Sequence, residues 1–515
     1  MQSKVLKLSK LITTPERSLL SGVVLCFGHF NSIHPGHLRH FQTARNLGEL
    51  LVVAIEGDKD LLDIERAQYF NEEDRAQSVA ALSLVDHVVI LDEGTLNELV
   101  DNLDVQTLVL GKEYEGLRAK KVQCAVEIAT KKGAKIVYDA GETQYSDARL
   151  LSNSLTQLEQ ENWDQFESAQ KMQGVNASQV FQKMQIDSRP KILVLGDTIV
   201  DRYVACDPIG MSNEAPVVVV KEIENKDYIG GAGIVASHVA SLGADCTYLS
   251  AVGEDDNGDF VNRVLTEVGV QPILVLDATR PTTFKVRYMV ENQKLFRVSR
   301  LKEHSVSSKI EQKIINRLEE TASHWDAIVV CDFVYGVVTS KILRKVQEIA
   351  KIHSIPLYGD LQCSSQIGSI LKFSNFGLLC PTEKEARIAL GNQDDGVEYL
   401  ANLLIDRTRC KNLVLKMGGA GFIAYEVNDQ AREIARRQHF PALMANPVDV
   451  TGAGDALLAA MAVSGAKGCS LMEAATFSTC VSGLAVQTLG NRPVSLENVR
   501  RFYAEMSSKR RSNGQ

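Results

Sequence analysis

Residues 446–463 read NPVDVTGAGDALLAAMAV, and the fold of the larger part of the chain follows from them. Gly452-Ala453-Gly454 form a glycine turn, and the apolar run that opens at Asp455 is a strong helix former. A helix starting there leaves its first N–H groups without partners inside the helix, and they converge at the positive end of its dipole. Such a hole takes an anion and stabilises charge developing on a transferring γ-phosphoryl group. Asp455, at the helix start, is placed to take a proton from an attacking hydroxyl, the work of a general base. The alternative is a simple helix cap after a glycine turn, and the surrounding sequence decides between them.

Upstream, the chain alternates short apolar strands with helical stretches. Strands are expected at 192–195, 217–220, 247–250, 273–275, 327–331, 357–359 and 413–416. The same alternation fills the first 150 residues, with strands at 23–27, 51–55, 87–91, 107–110 and 135–138 and a helix over 36–47. An amphipathic helix carrying Val5, Leu8, Leu11 and Ile12 is expected to open the chain. Strand–helix alternation implies parallel sheets with helices on their faces, so the fold class is α/β twice over. Between them, 155–185 (LTQLEQENWDQFESAQKMQGVNASQVFQKMQ) is rich in Gln with apolar residues at helical spacing. The expected layout is a domain over 1–152, a helical linker over 153–189, a second domain over 190–505 and a polar tail over 506–515.

Composition narrows the function. The chain has 515 residues, 56 Lys+Arg against 64 Asp+Glu and a net charge of −8, which opposes nucleic-acid binding through bulk positive charge. Ten cysteines stand without a C-x-x-C pair, so neither a cysteine zinc site nor a secreted disulfide scaffold is expected. No signal-peptide core opens the chain, and the apolar run 456–463 is too short to span a bilayer. A cytoplasmic protein without membrane partners is expected.

A second chemical stretch, CFGHFNSIHPGHLRH (26–40), follows the first expected strand directly. Gly36 between His34 and His37 lets a phosphate approach the backbone at a helix start. Two imidazoles beside it can hold nucleotide phosphates as pyrophosphate leaves. Four histidines (29, 34, 37, 40) lie close together, but no acidic or cysteine ligand joins them at metal spacing, so no metal is expected. Gly231-x-Gly233-x-x-Ala236, with Glu254 and Asp255 beyond it, looks like a dinucleotide fingerprint. The polar ENKDY before it does not read as the strand that fingerprint needs.

Two family resemblances follow. Gly28, Phe30, His34, Gly36 and His37 match the G-x-F-D-x-x-H-x-G-H pattern of cytidylyltransferase-like nucleotidyltransferases, with Asn31 where Asp is usual. The stretches EEDRAQSVAALSLVDHVVI (72–90) and LVLGKEY (108–114) are similar to that family's downstream segments. Its Lys/Gly-rich loop is shortened here to DKDLLDIERAQYF (58–70), so Lys59, Arg66 or Arg75 are the candidates to supply the cation. Ser146 and Arg149 are the candidates for its later Ser/Thr-rich loop.

The second resemblance is to the ribokinase/PfkB carbohydrate kinases, carried by Asp449, Thr451, Gly452, Ala453, Gly454 and Asp455. KILVLGDTIVDRY (191–203), the glycines of 228–258, CDFVYG (331–336) and CPTEKEA (380–386) follow in that family's order. PTTFKVRYMVENQKLFRVSR (281–300) looks like heptose 7-phosphate kinases. The resemblance implies Asp455 as the base and Thr451–Gly454 and Glu385 as the nucleotide and phosphate site. It implies Asp197, Asp201, Gly230, Gly231, Lys285 and Arg287 at the sugar, and Mg²⁺ accompanying ATP. Ile234 and Thr382 stand where Asn is usual, which leaves the sugar's identity open.

Together the two parts resemble the bifunctional heptose kinase/adenylyltransferases that make ADP-activated heptose for lipopolysaccharide, in reversed domain order. That resemblance implies a Rossmann-like nucleotidyltransferase domain followed by a ribokinase-like domain. ATP and CTP, a sugar phosphate and a homodimer are the implied partners. An active kinase fused to a catalytically weak nucleotide-binding domain is the alternative. A sugar- or nucleotide-sensing protein is a third reading, which the intact Asp455 and HPGH oppose.

Overall fold

Val23, Leu25 and Phe27 pack into one apolar cluster and Val24 and Cys26 into another. A strand buried on both faces has to lie inside a sheet covered by helices on both sides. The structure is a computed structural model; it describes residues 4–14, 20–30, 33, 35–60, 70–111, 114, 120–139, 155–186, 188–211, 217–290, 293–363, 368–428 and 430–513. The chain divides into two compact units, Met1–Asn153 with Leu390–Leu403, and Ser154–Ala389 with Leu404–Gln515.

In the first unit the strands are β1 (Val5–Lys7), β2 (Ser21–Gly28), β3 (Leu51–Glu56), β4 (His87–Leu91), β5 (Asp104–Gly111) and β6 (Lys135–Asp139). They form a parallel sheet in the order β1-β4-β3-β2-β5-β6. The amphipathic helix expected at the start of the chain is instead β1 followed by one helical turn, Leu8–Leu11. Pairing Val5–Lys7 with Val88–Ile90 satisfies backbone groups that a short isolated helix would hold only marginally. Leu8 and Leu11 are still buried.

The second unit has a nine-stranded sheet in the order β11-β10-β7-β14-β15-β16-β17-β18-β19. Its strands are β7 (Lys191–Gly196), β10 (Asp245–Val252), β11 (Gln271–Leu276), β14 (Ala327–Asp332), β15 (Leu357–Leu361), β16 (Leu378–Leu379), β17 (Asn412–Lys416), β18 (Phe422–Val427) and β19 (Ile434–Phe440). The sheet is parallel as far as β17, and β18 and β19 close it antiparallel. Helices Ala453–Ala466 and Leu471–Ala485 are apolar around most of their circumference, and most of their residues are accordingly buried.

A separate four-stranded sheet is made of β8 (Thr198–Met211), β9 (Val218–Gly231), β12 (Thr283–Val290) and β13 (Gln293–Arg300), in the order β13-β12-β8-β9. Of these strands the sequence suggests only 217–220. ENKDY belongs to β9, which runs to Gly231, so the polar character of that stretch is no objection to the dinucleotide fingerprint. What excludes a dinucleotide fold here is different: β9 is an edge strand paired antiparallel with β8, outside the main parallel sheet.

The Gln-rich stretch forms helices Leu155–Met172 and Ala177–Gln185, as its periodicity suggests. It is not a free linker. Trp163, Phe166, Val180, Phe181 and Met184 belong to the same apolar core as β7, β14 and the buried helices. Lys467 Nζ closes the end of the second helix by donating to the carbonyls of Met184 and Ile186. The ten cysteines are unpaired. No helix among the described residues is long and apolar enough to cross a membrane.

Candidate active site

The carboxyl ends of β7, β14 and β15 lie side by side, with β17 beyond the short β16, where parallel sheets bind ligands, and at or just past these ends stand Asp197, Asp332, Asp360 and Lys416. Helix Ala453–Ala466 begins at this edge with Asp455 in its first turn. Gly452 caps the helix at φ 82°, a left-handed conformation that costs glycine little. The carbonyl oxygen of the Asn491 side chain also lies where a larger residue at 452 would put its Cβ. The Ala453 amide donates to Val450 O at 3.3 Å and the Ala456 amide to Gly452 O at 2.9 Å. Among the described residues no carbonyl takes the Gly454 or Asp455 amide, so these are the donors left for an anion.

Asp455 is 6% exposed and accepts a 2.6 Å hydrogen bond from Gln362 Nε2 at Oδ1. Burial, reinforced by the charge of Asp360, pushes its carboxyl up to about 7, against the pull of Lys416 and Gln362. Lys416 Nζ donates to Asp360 Oδ2 at 2.6 Å and sits beneath Gly454, 3.2 Å from where a Cβ would be. Burial also pushes Asp360 up, to about 6, with Lys416 opposing it. Sequence reading missed Lys416, Asp360 and Gln362. The one local signal was a lone lysine ending the apolar run NLVLK.

Glu385 stands in helix Glu383–Leu390, and both its oxygens are engaged by backbone: Cys363 N at 3.2 Å and Thr382 N at 2.8 Å. It fastens the 361–363 and 380–382 segments together beside Lys416.

On the small sheet, strand pairing sets Lys285 beside Asp201 and Arg287 beside Tyr203. Side chains two apart share a face, so Asp201, Tyr203, Lys285, Arg287 and Met289 form one surface. Arg287 pairs with Asp201 and lies over the Tyr203 ring, 5.3 Å from its centroid. Gly230 lies against the Asp201 carboxylate, and Gly231 against the Asp197 carbonyl. Lys285 is buried with Nζ 4.9 Å over the Tyr335 ring.

Asp197, which the resemblance puts at the sugar, has both carboxylate oxygens engaged by backbone. Its oxygens accept the amides of Phe333 (2.8 Å), Tyr335 (3.3 Å) and Val337 (3.0 Å), so it holds the 333–337 loop. Burial and the nearby Asp332 push its carboxyl up to about 7. Ile234, at the position usually held by Asn, is buried in the core.

Asp449 gathers this region. Its Oδ1 accepts from Thr451 N (3.1 Å), Thr451 Oγ1 (2.7 Å) and Lys294 Nζ (3.0 Å), and its Oδ2 from Tyr203 Oη (2.9 Å) and Gly490 N (3.3 Å). Burial alone would raise its carboxyl; the donors, led by Thr451, bring it below the usual range.

In the first unit, helix Pro35–Arg45 follows the carboxyl end of β2, and His37 lies in its first turn. The His37 ring is half-buried and edge-on to Phe30, with centroids 5.0 Å apart. Phe30 is buried in the core, its ring folded over Gly28 to within 2.9 Å of where a Cβ would be. Gly28 and Phe30 therefore shape the loop by packing on each other. Gly36 is part of the helix, and His34, Arg66, Ser146 and Arg149 lie outside the described residues.

Arg75, a candidate substrate cation, is fully buried. It donates to the carbonyls of Phe70 (2.9 Å), His29 (2.7 Å) and Glu56 (2.9 Å) and to Asp58 Oδ1 (2.7 Å). It clamps the ends of β2 and β3, with four of its five N–H groups engaged inside the protein. Lys59 is exposed and 3.6 Å from Glu93. His29 pairs with the buried Glu56 at 3.1 Å. No His, Cys, Asp and Glu group among the described residues is arranged to hold a metal ion by itself.

Comparison with known proteins finds two family matches, the first of which runs past Asn153 into the helices packed with the second unit. Residues 25–183 match the cytidylyltransferase-like family. A relative named bifunctional protein HldE, from a Nitratiruptor species, is 32% identical over 320 residues, 61% of this chain and 65% of that protein. One of the same name from Pelobacter propionicus is 30% identical over 59% of this chain and 61% of its own length. The chain thus spans less than two thirds of these relatives. Escherichia coli phosphofructokinase-2, solved with substrates and products, superposes with a TM-score of 0.51 at 18% identity, covering 62% of this chain and 100% of that one. At that identity the likeness is one of fold. Residues 189–498, more than half of the chain, match the pfkB family of carbohydrate kinases, and the chain belongs to that family.

Proposed function

We propose that the chain is a bifunctional enzyme: an ATP-dependent kinase of a heptose-like sugar or sugar phosphate, and a nucleotidyltransferase that makes an ADP-heptose-like NDP-sugar from a sugar 1-phosphate. The kinase half rests on one observation above the others. A buried carboxyl group raised to about 7 stands in the first turn of a helix whose Gly454 and Asp455 amides find no carbonyl among the described residues. In the proposed step the sugar hydroxyl oxygen bonds to the γ-phosphorus of ATP while the bond to the β–γ bridging oxygen breaks. The hydroxyl proton passes to Asp455, and ADP leaves with the bonding electrons. The amides and Lys416 take up charge on the transferring group.

Mg²⁺ accompanying ATP fits this site in one respect. Asp360 Oδ1 is buried without a hydrogen-bond partner among the described residues, an oxygen suited to a cation or its water. Asp360 and Glu385 would hold the ion through water, with ATP phosphates as its other ligands, and it would supply neutralisation of phosphate charge.

For the nucleotidyltransferase half, His37 in the first turn after β2 supports a phosphate site. A sugar 1-phosphate oxygen would bond to the α-phosphorus of ATP or CTP as pyrophosphate leaves, with His34 and His37 stabilising the departing charge. The alternative, a catalytically weak first domain, is favoured by one finding: Arg75 is spent on four intramolecular hydrogen bonds.

The test gives the full chain ATP or CTP, Mg²⁺ and a panel of sugar phosphates, followed by phosphorus NMR. ATP-dependent phosphorylation and a pyrophosphate-linked NDP-sugar are expected, the latter lost in His37→Ala. Phosphorylation without any NDP-sugar would replace the proposal with the alternative, and neither product would overturn both.

A further inference from the structure

Strand β13 is exposed along its whole length and, among the described residues, its one neighbour in the sheet is β12. Its register with β12 is regular through Arg287↔Arg297 and Tyr288↔Phe296, then slips, so that Met289 faces Lys294. Without the slip Leu295 would stand opposite Met289. An extra residue of this kind turns a side chain onto the other face, and such bulges cluster beside active sites. Here it puts Lys294 on the face of Tyr203, Arg287 and Met289.

The consequence is a contact across 155 residues of sequence: Lys294 Nζ lies 3.0 Å from Asp449 Oδ1 and 3.0 Å from Thr451 Oγ1. Thr451 immediately precedes the Gly452 turn. Asp449 does not need this ammonium for its own hydrogen bonding, because Thr451, Tyr203 and the Gly490 amide already supply donors. Lys294 is also 43% exposed at its side chain, free to exchange one anionic partner for another at little desolvation cost.

We infer that Lys294 is a further catalytic residue of the kinase, a cation delivered by the small sheet to the terminal phosphate of ATP at the Gly454–Asp455 amides. This rests on the kinase reading above. When the anion arrives, the ammonium moves from Asp449 to it, while Asp449 keeps its other donors. Loss of the small sheet's hold on β13 would withdraw the charge along with the strand.

The experiment compares wild type with Lys294→Met and Lys294→Arg in the full chain. Lys294→Met is expected to lower kcat for sugar phosphorylation about 100-fold, the scale of losing one preorganised charge-stabilising donor, with KM for the sugar unchanged. Lys294→Arg should restore a large part of the rate. Calorimetric titration without a sugar gives a second readout: Lys294→Met should weaken ATP about tenfold, roughly 1.4 kcal/mol, and leave ADP unchanged. A kcat within threefold of wild type, a rise confined to the sugar KM, or equal weakening of ATP and ADP would each overturn the inference. If wild type phosphorylates no sugar, the kinase reading fails, and the ATP/ADP comparison still decides whether Lys294 meets the terminal phosphate.

Discussion

Asp455 combines two properties that oppose each other, a carboxylate needed in its charged form and an environment that penalises that form. Its carboxyl stands at about 7 because it is buried near Asp360, with Gln362 and Lys416 only partly offsetting this. As the base, it works only when ionised, so kcat for phosphorylation should rise with pH through about 7 and flatten above it. A pH–rate profile of the kinase reaction, with sugar and ATP saturating, checks this. The same shift has a stability side. A carboxyl raised from its ordinary 3.8 binds a proton more tightly folded than unfolded. Its stabilising effect is present below about 4 and is lost as pH rises through about 7. Asp455→Asn should therefore gain stability over wild type progressively between pH 5 and pH 7.5, seen as a higher urea midpoint at the upper pH. A constant difference across that range would contradict the assignment. Arg75 shows the opposite economy, a charge used wholly for architecture. Arg75→Met leaves three carbonyls without their donor, two of them at the ends of β2 and β3. It should destabilise the first unit by about 3 kcal/mol or more, read by denaturant unfolding of that unit.

Among the elements, apolar strands were legible and exposed ones were not. β2, β3, β4 and β14 are buried runs whose β-branched residues announce them. Two strands of the small sheet bury little: β13 is exposed throughout and Glu222–Lys226 of β9 likewise. Such strands carry no alternation for a sequence pattern to register. The site divided the same way. Asp455 and its glycines sit in one contiguous motif. Gln362, Lys416 and Lys294 are single polar residues brought to it from three other strands or strand ends, with no local signature. Helices 155–172 and 177–185 were legible as helices, while their packing into the second unit was a tertiary fact. Trp163 is 1% exposed between Phe166, Phe502 and Tyr503, with centroids 5.3, 6.0 and 6.2 Å away. Trp163→Ala should destabilise the second unit by about 3–5 kcal/mol. Calorimetric unfolding checks this, and an unchanged transition would return the helix to the status of a linker.

For the whole molecule, the net charge of −8 is no obstacle to phosphate substrates, because cations are local. Lys285, Arg287, Lys294 and Lys416 lie around the kinase site, with helix amides supplementing them. The chain also carries its two candidate chemistries in separate compact units. Removing one should therefore leave the other: Asp455→Asn is expected to keep full NDP-sugar formation and His37→Ala full kinase activity. The measurement that bears most directly on the kinase assignment is phosphoryl transfer by Asp455→Asn under single-turnover conditions, with ATP binding followed in parallel. Transfer reduced at least about 1000-fold, with ATP still bound, is the predicted result. Transfer at a rate close to wild type would contradict it.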